Sequence, residues 1–360
     1  MKKWFEQKEQ QAGAGRLILT WKIYKIFGEI PVRIIAFFIA FFAYTGGKEQ
    51  RESSKKYFQI LADFTNEKKY KPSFLNSFRH FHSYADSLVD KMLSFSGNLS
   101  AEKFEFSNTD DMNLMFETFK EGKGAFFITS HTGNVEIMRS LFLSDRYSVK
   151  PYVNVFLQKN SCEIFNTFLE HIKVKTNVDV FPVEEISVDT AVVIKEKLNK
   201  GEIVFMAGDR LSAQYPELSY DTEFLNRKVK FPLGALKFAQ ILECPIFFVV
   251  CAKKDGKFII HLKKFHESAG VNKSRSAEGN LTREAEANQS LSVDVNQTRA
   301  TEDNQAQAAE AALQETSKIS HRHGKREVFD KLKSDYLEFL EEFTIQYPYQ
   351  FYNFYDMFTD

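Results

Sequence analysis

The chain carries no net charge, since 48 lysines and arginines balance 48 aspartates and glutamates over 360 residues. That balance excludes a global pull toward nucleic acid, so any attraction to anionic lipid has to come from local basic clusters. Cysteine is scarce. Cys162, Cys244 and Cys251 are odd in number and widely spaced, which argues against a disulfide framework. None pairs with histidine at zinc-ligand spacing, so no structural metal is expected. A reducing compartment is the simplest setting. Apolar runs are too short to span a bilayer unless "LILTWKIYKIFGEIPV" joins the run after it, and Lys22, Lys25, Glu29, Pro31 and Arg33 make that joint span costly. The most apolar one, "IIAFFIAFFAY" from Ile34 to Tyr44, would reach about 16 Å as a helix, against a hydrocarbon core of about 30 Å. The first residues, "MKKWFEQKEQQAGAG", are polar and mixed in charge, unlike a cleaved secretory signal. Residues 267–325 lack phenylalanine, tyrosine and tryptophan altogether. A stretch so poor in rings and rich in Ser, Asn, Gln, Ala, Glu and Thr buries too little apolar surface to offset its ordering entropy. It reads as a disordered insertion, with a weak helix around "QAQAAEAALQE".

Elsewhere rings are plentiful. Phenylalanine occurs 37 times and aromatic residues make up 15% of the chain, although mean hydropathy is negative. Two readings stand for Ile34–Tyr44. One is a buried helix. The other is a helix half-sunk in a membrane surface, with Trp21, Tyr24 and Tyr44 as interfacial rings and Lys22, Lys25 and Arg33 near headgroups.

Four regions follow from the pattern. Residues 1–100 form a helical, membrane-surface region, punctuated by Pro31, Gly46-Gly47 and Pro72. Residues 101–266 form an α/β core. Its expected strands are "GAFFITS", "KPYVNVF", "VDVFPV", "EIVFMAG", "CPIFFVVCA" and "KFIIHLKKF", with helices near 134–143, 161–173, 189–199 and 232–242. Strands alternating with helices predict an open mixed sheet flanked by helices. The insertion follows, and residues 326–360 complete the core with a helix and an aromatic tail, "YPYQFYNFYDMF".

In open α/β sheets chemistry gathers beyond strand C-terminal ends. The stretch "GAFFITSHTGNVEIM" ends a strand on His131 and places Glu136 five residues on. A neutral imidazole held in the right tautomer takes a proton from a hydroxyl, and a carboxylate on its other nitrogen steadies the imidazolium. Glu136 is the expected carboxylate. Gly133 is expected to let the backbone approach a substrate. The bland alternative is a surface histidine and an ordinary first-turn glutamate. Asp209-Arg210 follows another strand end, and Asp209 has the alternative of simply pairing with Arg210. His80, His82 and Cys162 are read as structural, and His321 and His323 as at most weak metal binders. Ser130 lacks a G-x-S-x-G elbow and is not read as a nucleophile.

The blocks "SHTGNVE", "AGDRLSA" and "NRKVKFPLGALKFAQILECPIFFVV", in this order, resemble the lysophospholipid acyltransferase superfamily. The likeness is greatest to the bacterial branch of late acyltransferases of lipid A biosynthesis. The H-x-x-x-x-D/E motif of that family matches His131 and Glu136. Its F-P-x-G block matches Phe231, Pro232 and Gly234, its late strand proline matches Pro245, and "RESSKKYFQIL" and the aromatic tail are similar to the branch's two ends. Departures are Leu233 in place of a common glutamate, Asn226 where the branch often has glycine, and "NVFLQKN" where the middle motif usually offers arginine. Lys159 or Asn154 would serve there.

The resemblance implies acyl transfer from an acyl carrier protein or acyl-CoA donor to a hydroxyl or amine of a bacterial envelope lipid, without an acyl-enzyme. His131 is then the general base and Glu136 its partner. Arg210, Asp209, Gly133, Asn134, Phe231, Pro232, Gly234 and Lys159 bind substrate, and Lys228 and Lys230 are further basic candidates. No cofactor or metal is expected beyond the thioester donor. The expected partners are the lipid acceptor, the donor and the membrane surface, with no nucleic acid. The expected place is the cytoplasmic face of the bacterial inner membrane, peripheral or monotopic. A lipid hydrolase using the same pair, and a silent lipid-binding scaffold, are the alternatives. The missing nucleophile elbow argues against the first, and the intact His131 and Glu136 against the second.

Overall fold

A computed structural model describes residues 14–95, 97, 99–143, 150–172, 177–212, 214–266 and 324–358. Chain contacts divide the protein into two units, Met1–Phe265 with Tyr336–Asp360, and His266–Asp335. In the second unit residues 324–335 are helical, with Lys331 paired to Asp335 one turn on. The predicted insertion lies outside the described residues except for 324 and 325.

The first unit opens with four helices: α1 (Ala14–Phe27), α2 (Glu29–Gly46), α3 (Lys48–Thr65) and α4 (Phe74–Phe95). Helix α2 is longer than the eleven-residue apolar run. Pro31 lies in its first turn, where a missing N–H breaks no helical bond. Its 18 residues are long and apolar enough to cross a membrane by length and composition. Its buried stripe is narrow: Val32, Ala36, Ala40 and Tyr44, four residues apart, join Phe81, Ala85, Val89 and Met92 of α4 in one core cluster. The opposite face is bare, with Ile30 74%, Ile34 53%, Phe38 53% and Phe42 67% exposed.

The α/β part has nine strands among the described residues. Seven make one sheet in the order β1-β9-β8-β2-β5-β3-β4: β1 (Phe104–Phe106), β2 (Ala125–Thr129), β3 (Val153–Leu157), β4 (Val178–Pro182), β5 (Ile203–Ala207), β8 (Ile246–Lys254) and β9 (Lys257–Lys264). The run from β8 to β4 is parallel, and β9 turns back antiparallel to β8, so the sheet is mixed. All six expected strands are present. A hairpin of β6 (Ser219–Phe224) and β7 (Arg227–Pro232) stands apart from the sheet. Its two-residue turn, Leu225-Asn226, puts both residues at positive φ, 52° and 56°. Asparagine tolerates that region best after glycine, which suits Asn226 to this turn.

Helices cover both faces. Alternate residues Ala125 and Phe127 of β2 join the cluster containing Met115, Phe116 and Phe119 of α5 (Thr109–Lys120) and Leu141 and Phe142 of α6 (Arg139–Leu143). Phe127 stacks on Phe205 at 4.7 Å and on Phe247 at 5.4 Å, a three-strand ring ladder through the core. On the other face Phe126 meets Phe238 of α9 (Gly234–Leu242), and Phe248 meets Tyr336 and Phe339. Burying each ring contributes about 1.5–3 kcal/mol, which is where much of the phenylalanine excess goes. Helices α7 (Lys159–Ile172) and α8 (Val188–Asn199) complete the crossovers. Ser187 caps α8 in a reciprocal bond pair with Thr190.

Candidate active site

Strands β2 and β5 are parallel neighbours, with Thr129 in register with Ala207. Two residues beyond each partner come His131 and Asp209. The pairing therefore delivers both to the same sheet end, about 4.8 Å apart at the backbone. Asp209 uses both oxygens on His131: Oδ1 lies 2.9 Å from Nδ1, and Oδ2 accepts the His131 backbone N–H at 2.9 Å. A carboxylate only accepts, so Nδ1 carries the hydrogen and Nε2 has its lone pair turned the other way. The imidazole is 37% exposed, while the Asp209 side chain is 2% exposed. Burial pushes the Asp209 carboxyl up, but the charge of and hydrogen bonds from His131, with the charge of Arg210, outweigh it and hold it below the usual value.

Glu136 does not stand behind the ring. Residues Val135–Met138 form a 3-10 turn rather than an α-helical turn, and Glu136 pairs instead with Lys91 of α4. Desolvation raises its carboxyl, while the charge and hydrogen bond of Lys91 and the charge of His131 bring it below the usual value. Two carboxylates thus act on His131, Asp209 by contact and Glu136 through space. Nothing in "VDKMLSF" marks Lys91 for this place.

The glycine expected to meet substrate meets β8. Gly133 has φ +72°, and a Cβ there would sit 2.2 Å from the Cys251 carbonyl oxygen. Asn134 is anchored beside it: its N–H donates to Cys251 O at 2.8 Å and its Nδ2 to Ser87 O at 2.7 Å. Gly133→Ala should therefore cost about 1–3 kcal/mol of stability and displace His131. Urea denaturation checks the first part and a kcat measurement the second.

The aromatic tail closes the other side. Gly133 N–H donates to Gln350 O at 2.7 Å, Tyr352 N–H to His131 O at 3.2 Å, and Thr132 bridges Phe351 antiparallel. Gln350 fixes this strap to β8 through Lys253 N–H and O. Arg210 is half-buried and held by the same tail, with Nη2 on Tyr352 O at 3.3 Å and Nε on Asn353 Oδ1 at 3.4 Å. Its Asp209 neighbour serves His131.

Phe231 is buried in the hairpin and reaches the tail through Phe224, which stacks on Phe351. Pro232 ends β7, and Gly234 opens α9, where an added Cβ would meet open space. Helix α9 runs back to the start of β8, so its first residues lie at the sheet end that carries His131. Lys159 is exposed and bound to Glu185 at 3.0 Å, in a polar hollow of about 550 Å³ beyond β3 and β4 that also holds Glu163 and Glu184. The structure does not bring it to His131. Asn154 is buried on Glu202 and Ile203 O, and Lys230 pairs with Asp221. Among the described residues, no group of three or more His, Cys, Asp or Glu is placed to hold a metal ion.

Beneath the tail His80 is fully buried, and burial lowers its pKa to about 4 although a bond to Phe351 O opposes this. The unfolded chain titrates near 6.5, so between those values the unfolded state binds the extra proton. The His80 contribution to stability is therefore fully present above about pH 6.5 and is lost as pH falls toward 4. His80→Gln should flatten the loss between pH 7 and 4.5 by about 2.5 kcal/mol, measured by denaturant titration at both pH values.

Compared with known families and curated proteins, the chain matches no family model and no curated protein sequence.

Proposed function

We propose that this protein is a membrane-associated acyltransferase. It moves a fatty acyl chain from an acyl carrier protein or CoA thioester to a hydroxyl or amine of a bacterial envelope lipid. The observation that carries the reading is the His131–Asp209 pair, 2.9 Å apart, at the C-terminal ends of the two central parallel strands with Nε2 turned away from the carboxylate. The order of sequence blocks resembling the lysophospholipid acyltransferases supports the donor and acceptor classes.

In the reaction, His131 Nε2 takes the proton of the acceptor O–H or N–H as that atom attacks the thioester carbonyl. Asp209 holds the imidazolium that forms. The tetrahedral oxyanion collapses, the C–S bond breaks, and the thiolate leaves with the proton carried by His131. Ester or amide and free thiol are the products, with no acyl-enzyme. Arg210, beside Asp209, adds positive potential where the oxyanion develops. The test is the purified protein with radiolabelled acyl-thioester and lipid extract. Thiol release matched one to one by labelled lipid supports acyl transfer. Free fatty acid instead supports the hydrolase reading, and no turnover supports the scaffold.

The proposed site of action is the cytoplasmic face of the inner membrane, with α2 lying in the surface. Arg33 of α2 pairs with Asp86 and Asp90 of α4, and the Arg33–Asp90 contact is 2.6 Å. Helix α4 in turn holds the His131 loop through Ser87 and Lys91. A crossing α2 would drag this charged helix into hydrocarbon, whereas a surface helix buries only the bare face of Ile34, Phe38 and Phe42. Serine at those three positions should move the protein from the membrane pellet to the supernatant. Wild type found in the supernatant at low salt without detergent would sink the membrane assignment.

A further inference from the structure

His80 lies on α4, far in sequence from the acid-base pair. It is fully buried with both ring nitrogens engaged. Nε2 lies 2.6 Å from Phe351 O and Nδ1 lies 3.0 Å from Ser54 Oγ of α3. The carbonyl only accepts, so Nε2 carries the hydrogen and Nδ1 accepts from the serine hydroxyl. The peptide that receives this bond joins Phe351 to Tyr352. The N–H of the same peptide donates to His131 O at 3.2 Å. One unbroken run of donors therefore passes from Ser54 O–H through the His80 ring and the 351–352 peptide to the carbonyl of His131. Such chains polarise one another, each bond strengthening the next in a medium that excludes water. Phe351 O also accepts Asn353 N–H at 2.9 Å, and the His80 ring stacks on Phe354 at 4.3 Å. Both contacts keep the tail seated on the ring.

The geometry points to His80 as a positioning residue for His131, acting through the C-terminal strap; the inference rests on His131 being the base of the acyl transfer. The His131 ring is tethered at Asp209. Its backbone is fixed by Asp209 on the N–H side and by the strap on the carbonyl side. Loss of the second lets the loop shift, and misplacement by about 1 Å costs up to about 100-fold in rate. His80 touches no reacting atom, so its loss affects kcat and leaves KM for the thioester unchanged.

The test compares His80→Leu, His80→Gln and Ser54→Ala in the full chain. Leucine fills the space without a donor, whereas the Gln amide places an N–H where Nε2 was. Expected results are a 10- to 100-fold drop in kcat for Leu, recovery to within about threefold of wild type for Gln, and a drop of about threefold for Ser54→Ala, all at unchanged KM. The second readout needs no turnover: the imidazole Nδ1–H resonance of His131 should shift or broaden in His80→Leu and return in His80→Gln. A wild type that transfers no acyl chain overturns the acyl-transfer reading, while the resonance still judges the strap. A folded His80→Leu with wild-type kcat or an unmoved His131 resonance overturns the positioning role. So does equal loss in the Leu and Gln variants. Should His80→Leu fail to fold, Ser54→Ala with unchanged kcat and resonance overturns it, and the graded loss supports it.

Discussion

His131→Ala should lower the proposed acyl transfer about 100- to 10,000-fold, the range a well-placed general base supplies. The fold should survive, because the imidazole is more than a third exposed and, among the described residues, its side chain bonds to Asp209 alone. Circular dichroism and the melting curve should match wild type while the labelled product disappears. Exogenous imidazole enters the space left by the ring and should restore part of the rate in proportion to its concentration. A variant retaining more than a tenth of wild-type activity would remove the base from the mechanism.

The second large effect separates two carboxylates. Asp209→Asn keeps an oxygen for the His131 backbone N–H but removes the charge that fixes the Nδ1–H tautomer and steadies the imidazolium. The expected loss in kcat is about 1,000- to 10,000-fold. Glu136→Gln should lose about tenfold at most, since Glu136 acts on His131 through space and its charge is already balanced by Lys91. Side-by-side kcat values decide the order. A glutamine variant as impaired as the asparagine one would return the partner role to Glu136 and leave Asp209 as scaffold.

The reason the sequence points to the nearer carboxylate is plain in the geometry. Glu136 is five residues from His131, and a helix starting at Asn134 would swing it behind the ring. The 3-10 turn at Val135–Met138 has it paired with Lys91 of α4 instead, with Ile137 and Met138 buried in the core. Asp209 is 78 residues away, and only the register of β2 with β5 brings it to Nδ1. Register between distant strands leaves no local trace in the sequence. Its place at a strand end, by contrast, was legible, because "EIVFMAGDR" breaks from an apolar run into charge.

The sheet was legible for the same reason. "GAFFITS" and "CPIFFVVCA" are continuous apolar runs bounded by polar residues, the signature of strands buried on both faces. The hairpin is another matter. "SYDTEFLNRKVKFP" alternates weakly, carries charge on its open side and turns on Leu-Asn rather than Asn-Gly, so the strand signal is diluted. Strand β1 is three residues long, below what periodicity detects. The apolar run at Ile34–Tyr44 showed half of its character: its length as a helix depended on Pro31 lying in the first turn, and its bare face appears only once Val32, Ala36, Ala40 and Tyr44 are known to be the buried side.

The most direct test of acyl transfer by His131 is made in the organism that carries the protein. Cells expressing wild type and His131→Ala are extracted and their envelope lipids compared by untargeted mass spectrometry. Acyl transfer predicts one lipid species that loses the mass of a single acyl chain in the variant, which names acceptor and chain together. Matching profiles, in cells where removing the whole protein does change the envelope, would contradict it and leave a lipid-binding scaffold in its place.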